Sequence, residues 1–141
     1  MAGVRGSCLC GAVSFEITGK AGPVGQCHCS KCRKVSGTDG NAVFYTAYDS
    51  LRWVSGEDHQ RSYYVSGNSG WRTVRCETCG SPLPHPNKDN KIWFVPAGLL
   101  DTALGHQGYA GHIFVGSKAD WVEITDKAPQ FSEGIDSDRI R

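Results

Sequence analysis

The sequence has no long apolar run, no excess of either charge and no internal repeat, and each absence narrows what the chain can be. No stretch approaches the roughly twenty apolar residues that cross a bilayer as a helix. Met1 to Ser7 also lacks the apolar core of a secretory signal. A soluble, cytoplasmic protein with no membrane partner is expected. With 15 Lys and Arg against 14 Asp and Glu, no strong field exists to hold nucleic acid, so no nucleic-acid partner is expected. Coiled-coil heptads and low-complexity segments are absent as well. The 141 residues suit one core better than two, which places a single domain over residues 1–131 and leaves 132–141 as a polar tail prone to fray.

Glycine and proline are plentiful. The 18 glycines and 6 prolines interrupt any long helical pattern and favour short strands joined by turns. In Ala12 to Thr18, the apolar Val13, Phe15 and Ile17 alternate with Ser14, Glu16 and Thr18, the period-two signature of a half-buried strand. β-Branched and aromatic runs predict further strands at Ala42–Thr46, Leu51–Val54, Ser62–Val65, Trp71–Arg75, Ile92–Val95, His112–Val115 and Trp121–Ile124. Gly19–Gly25 and Pro82–Asn90 read as surface loops. Ser30–Ser36 is the one short helix expected, with Ser30 as its N-cap. The fold class is mainly β with little helix.

All seven cysteines fall in three clusters: Cys8-Leu9-Cys10, Cys27-His28-Cys29-Ser30-Lys31-Cys32 and Cys76-Glu77-Thr78-Cys79-Gly80. An odd count cannot pair fully as disulfides, and a reducing compartment disfavours them. A C-x-x-C turn brings two sulfurs toward one ion, and residues i and i+2 of an extended C-x-C project to the same side. Metal is the leading explanation, and zinc is the usual ion for thiolates at such spacings. Seven ligands divide into four plus three, giving about two zinc ions, one structural and one at an open site. Cys29 and Cys32 with Cys76 and Cys79 would make a zinc ribbon. Pairing Cys8 and Cys10 with Cys76 and Cys79 is cleaner, and it leaves Cys27, Cys29 and Cys32 as a compact three-thiolate site.

With those motifs in view, the chain resembles the glutathione-dependent formaldehyde-activating enzyme family, also called the centromere protein V/GFA domain family. The resemblance runs from Gly6-Ser7-Cys8-Leu9-Cys10-Gly11-Ala12-Val13 through Cys27 to Lys34 and Cys76-Glu77-Thr78-Cys79-Gly80-Ser81-Pro82-Leu83. It continues through Ala97-Gly98-Leu99-Leu100-Asp101 to His112–Trp121. It implies a single-domain β-tent fold, a structural zinc on Cys8, Cys10, Cys76 and Cys79, and a second zinc on Cys27, Cys29 and Cys32. In the named enzyme the second zinc is associated with glutathione and with formation of S-hydroxymethylglutathione from formaldehyde, formally a carbon–sulfur lyase reaction read backwards.

The chemistry suits that implication. Three thiolates leave a coordination position open and make zinc a weak Lewis acid for hydrolysis, while a soft site prefers another thiolate. Cys27, Cys29 and Cys32 are therefore the expected catalytic set, a small thiol such as glutathione and a small aldehyde the expected partners. Alternation turns His28 away from the metal, toward a structural or supporting role. His85, His106 and His112 are candidates to supply a proton or to complete the second zinc, although isolated histidines are more often surface or hydrogen-bonded core residues. Lys31, Arg33 and Lys34 could attract the carboxylates of glutathione, although such runs are usually solvated surface. Trp53, Trp71, Trp93 and Trp121 read as core, and Asp101 as a turn cap. The competing reading is a non-catalytic zinc module that docks a protein partner.

Overall fold

The computed structural model describes residues 3–66, 71–87 and 89–141. Lys88, inside the expected Pro82–Asn90 loop, lies outside them. The structure is mainly β, as the alternation predicts: ten short strands and one helix among the described residues. The strands are β1 (Val4–Ser7), β2 (Ser14–Ile17), β3 (Gly25–Cys27), β4 (Asn41–Ala47), β5 (Leu51–Ser55), β6 (Gln60–Tyr64), β7 (Arg72–Cys76), β8 (His85–Pro86), β9 (Ile92–Pro96) and β10 (Gly111–Ile113), and the helix is α1 (Ser30–Ser36). Two compact units emerge, one from residues 1–22 and 44–105, the other from 23–43 and 106–141.

In the first unit β2 lies between β1 and β5, antiparallel to both. Phe15 and Ile17 are buried on one face of β2, while Glu16 points outward to Arg52 at 3.4 Å. Gly6 sits opposite Phe15 in the ladder because any Cβ there would occupy the space of the Phe15 ring. The core beneath joins Cys8, Val13, Val74, Cys76 and Leu83, with Trp53, Cys79 and Leu99 packed against it. Aromatic rings extend it: Trp53 meets Phe15 and Trp93 edge-on, and Trp93 stacks on Tyr48 at 5.1 Å with an interplanar angle of 3°. The β6–β7 hairpin runs in register from Gln60↔Cys76 to Tyr64↔Arg72, and so ends on a cysteine.

Pro82–Asn90 is not simply a surface loop. Leu83 and Pro84 are buried, the Leu83 N–H reaches Val74 O at 2.8 Å, and His85–Pro86 pairs with β9. Apolar Leu83 fills the space above Val74, which draws the segment inward.

In the second unit β3 pairs parallel with β10 and antiparallel with β4. α1 follows β3 and stops at Gly37, whose positive φ of 72° lets its N–H return to Arg33 O. Its N-cap is Cys29, not Ser30: the Cys29 sulfur accepts from the Cys32 N–H. The expected strand over Trp121–Ile124 is absent. Val122 is tied instead into a turn, by its N–H to Ala119 O and by Lys118 Nζ to Val122 O, and Trp121 is 69% exposed, so it is not core. Only the first part of His112–Val115 is strand, because Phe114 takes a left-handed φ of 56° and opens a 3₁₀ turn. The last residues double back, with Phe131 bridged to Arg139 and Ile140 N–H bonded to Gln130 O.

Candidate metal centres

Cys8 and Cys10 leave the end of β1 on a turn closed by Gly11 N–H to Cys8 O at 3.1 Å. Cys76 and Cys79 leave the end of β7 on a turn closed by Gly80 N–H to Cys76 O at 3.0 Å. Gly11 and Gly80 take positive φ of 82° and 76°, the conformation these tight turns require. Ser81 ties the turns together, its hydroxyl accepting from the Leu9 N–H at 2.9 Å and lying 3.3 Å from Cys79 Sγ. The four sulfurs lie within 4.8 Å of one another, with Cys8 to Cys10 at 3.6 Å and Cys10 to Cys76 at 3.8 Å. Those separations are far too long for disulfides. They fit sulfurs arranged tetrahedrally about 2.3 Å from one zinc, whose edges are about 3.8 Å.

The second cluster is local. Cys27 ends β3, Cys29 caps α1 and Cys32 lies in the first turn of α1, and their sulfurs fall within 4.8 Å of one another. All seven cysteines are free, in sets of four and three, each set within one unit.

Thiol energetics favour a cation in both sets. The Cys32 sulfur and the Cys29 N–H pull Cys27 down to about 6 against its burial, while Cys27 pushes Cys32 up. In the four-sulfur set the Ser81 hydroxyl and N–H pull Cys79 down to about 5. Cys10 is held up at about 11: the Ala12 N–H lowers it, but burial and the Cys8, Cys76 and Cys79 sulfurs outweigh that pull. Sulfurs this close cannot all ionise without a positive ion among them. Both clusters could therefore hold a metal ion, and their donor chemistry fits zinc.

Residues beside the three-cysteine cluster are bonded to one another. His28 has no exposed surface, and its Nε2 lies 2.9 Å from Nδ1 of His112, itself 1% exposed. His112 Nε2 lies 3.0 Å from both carboxylate oxygens of Asp126. His112 is thus enclosed between two partners, and Asp126 escaped sequence reasoning because nothing local marks it. Burial, and then His112, lower the His28 pKa below the usual histidine range. Asp126 is held below the usual carboxylate range, first by the Ala128 N–H and also by His112. Tyr109 packs edge-on against His112 at 5.2 Å. Arg33 reaches Ser117 O at 3.3 Å, whereas Lys31 and Lys34 are exposed. His85 belongs to the other unit and His106 is exposed. Asp101 accepts from the Ser7 hydroxyl at 2.6 Å and its N–H bonds Arg5 O, so it fastens β1.

The fold and its two thiol clusters define a small, mainly β protein with two cysteine sets that could each hold a metal ion. A search of family models matches residues 3–117 to the glutathione-dependent formaldehyde-activating enzyme family. The chain belongs to that family. A protein of Halomonas elongata, provisionally named a glutathione-dependent formaldehyde-activating enzyme, is 30% identical over 129 residues, covering 88% of this chain and 82% of its own. The crystal structure of a Rhodobacter sphaeroides protein shares the fold with a TM-score of 0.57 at 24% identity, covering 72% of this chain and 95% of that one. No helix among the described residues is long and apolar enough to cross a membrane.

Proposed function

We propose that the chain is a zinc enzyme with carbon–sulfur lyase chemistry, joining a small thiol to a small aldehyde, with glutathione and formaldehyde the first candidates. One observation carries the reading: in a member of this family, three sulfurs cluster separately from a complete set of four. Cys8, Cys10, Cys76 and Cys79 would hold a structural zinc, closed to substrate by its fourth thiolate. Cys27, Cys29 and Cys32 would hold the second, with one position left for an incoming thiol. Zinc bound there would supply a soft Lewis acid that lowers the pKa of that thiol.

The remaining steps belong to the chain and the substrates. α1 presents the cationic Lys31, Arg33 and Lys34 beside Cys32, suited to orienting a thiol that carries carboxylates. The substrate sulfur adds to the aldehyde carbon, the carbonyl pair moves to oxygen, and oxygen takes up the proton the thiol released, giving a hydroxymethyl thioether. The reverse restores both reactants. Seven free thiols suit a reducing compartment such as the cytoplasm.

The test is addition of glutathione to zinc-loaded and cobalt-substituted protein. Binding should release a proton and change the cobalt spectrum, and exchange NMR with formaldehyde should show adduct formation faster than in buffer. Cys29→Ser should abolish that increment. A second zinc that takes no thiol would refute the enzyme reading and favour a zinc module that docks a protein.

A further inference from the structure

Asp126, His112 and His28 form a single file of hydrogen bonds that ends between two cysteines of the three-sulfur cluster. The carboxylate can only accept, so His112 Nε2 must carry a proton. When both rings are neutral, His112 Nδ1 is bare and accepts from His28, whose Nε2 then bears the proton across 2.9 Å. The direction of every bond is therefore set at Asp126. His28 Nδ1 is left as a buried lone pair without a partner.

We propose that Asp126 and His112 are positioning residues for the Cys27–His28–Cys29 segment, holding His28 in its Nε2–H tautomer and thereby fixing the two sulfurs that flank it. The hold is at two points. β10 grips His28 through its main chain, the His28 N–H donating to Ile113 O at 2.9 Å, and through its ring by way of His112. A residue pinned by both backbone and side chain cannot swivel, and neither can the sulfurs on either side of it. Tyr109 packs edge-on against the His112 ring. The effect on a bound metal rests on the zinc assignment above. The tautomers do not.

Asp126→Asn makes the proposal falsifiable. Oδ1 of Asp126 also accepts from the Ala128 N–H at 2.9 Å. An asparagine oxygen would keep that bond and turn its NH₂ toward His112 Nε2. The file must then run backwards: His112 protonated on Nδ1, and His28 protonated on Nδ1. Asp126 is partly exposed, with 41% of its side chain accessible, so the variant should fold. Asp126→Glu keeps an accepting carboxylate and should restore the native order.

Two readouts separate the lock from the metal. Nitrogen-15 NMR of the imidazoles should show Nε2–H on both rings in wild type and Asp126→Glu, and Nδ1–H on both in Asp126→Asn. Cadmium-113 NMR and chelator competition should show the metal of the three-cysteine set loosened roughly ten- to a hundredfold in Asp126→Asn, with the four-cysteine signal unmoved. Unchanged nitrogen signals in Asp126→Asn, or an imidazolium at His112 in wild type, would overturn the lock. Inverted tautomers with unaltered cadmium affinity would overturn the positioning role. A wild-type chain that takes up only one cadmium would refute the proposed zinc enzyme, and the nitrogen signals alone would then decide the lock.

Discussion

Acid should weaken the folded chain in part through the ring of His85. It lies on β8 against Phe94 at 5.5 Å, and burial, with Arg72 adding to it, lowers its pKa from 6.5 to about 4 despite the Leu83 backbone. Above pH 6.5 the ring is neutral in both states and contributes nothing to the pH dependence. Between 6.5 and 4 the unfolded chain binds a proton that the folded chain refuses, so stability falls as pH falls. The deficit should be about 2 kcal/mol near pH 5 and level off at about 3 kcal/mol below pH 4. His85→Gln cannot titrate and should lack it. Urea unfolding of both proteins at pH 7.5 and pH 5, under matched zinc, isolates the ring, because protonation of the cysteines affects both alike. An NMR titration should place the folded His85 midpoint near 4. Parallel losses of stability in the two proteins, or a midpoint near 6.5, would refute the reasoning.

The metal assignment predicts about two zinc ions per chain with unequal retention, the three-cysteine ion leaving first under chelator; elemental analysis finding one tightly held zinc, or iron with visible absorption, would count against it. Cys76→Ser or Cys79→Ser should lower the melting temperature more than Cys29→Ser or Cys32→Ser, since the closed set is coupled to the core around Val74 and Leu83. Equal losses would mean that both sites are structural. Gly6→Ala would drive a methyl group into the Phe15 ring and should cost about 1–3 kcal/mol, seen as an earlier urea midpoint; an unchanged midpoint would show that the ring moves aside freely.

What could be read from the sequence was whatever repeats locally. The alternation around Phe15 and Ile17 marks β2, and the aromatic run Ile92–Val95 marks β9, because burial on one face leaves a period of two. β1 and β3, reading Val-Arg-Gly-Ser and Gly-Gln-Cys, carry no such signal; neighbouring strands make them strands. Pro86 hid β8, since proline reads as a breaker until the strand proves to be two residues long. Trp121–Ile124 had strand composition without a partner to pair with, and a short run of bulky residues cannot reveal that. Cys29 displaced Ser30 as cap because its sulfur is already turned toward the Cys32 amide. The three cysteine clusters were legible because each is local, whereas their combination was open between two partitions, since Cys10 and Cys76 meet across 66 residues. The His28–His112–Asp126 file was not, since His28 and His112 stand 84 residues apart and Asp126 comes 14 later.

The two sulfur sets differ in what they ask of an unfolded chain. Cys27, Cys29 and Cys32 are near neighbours in sequence, so a metal could be captured there before any tertiary structure exists. Cys10 and Cys76 stand 66 residues apart, and bringing them together carries a loop-closure entropy on the order of 4 kcal/mol. On the proposed assignment the four-cysteine ion is a reversible cross-link, formed late and only once the segment carrying Cys76 and Cys79 has been synthesised. Scarcity of metal during synthesis would therefore leave that long loop open first, even though its site is the tighter of the two once made.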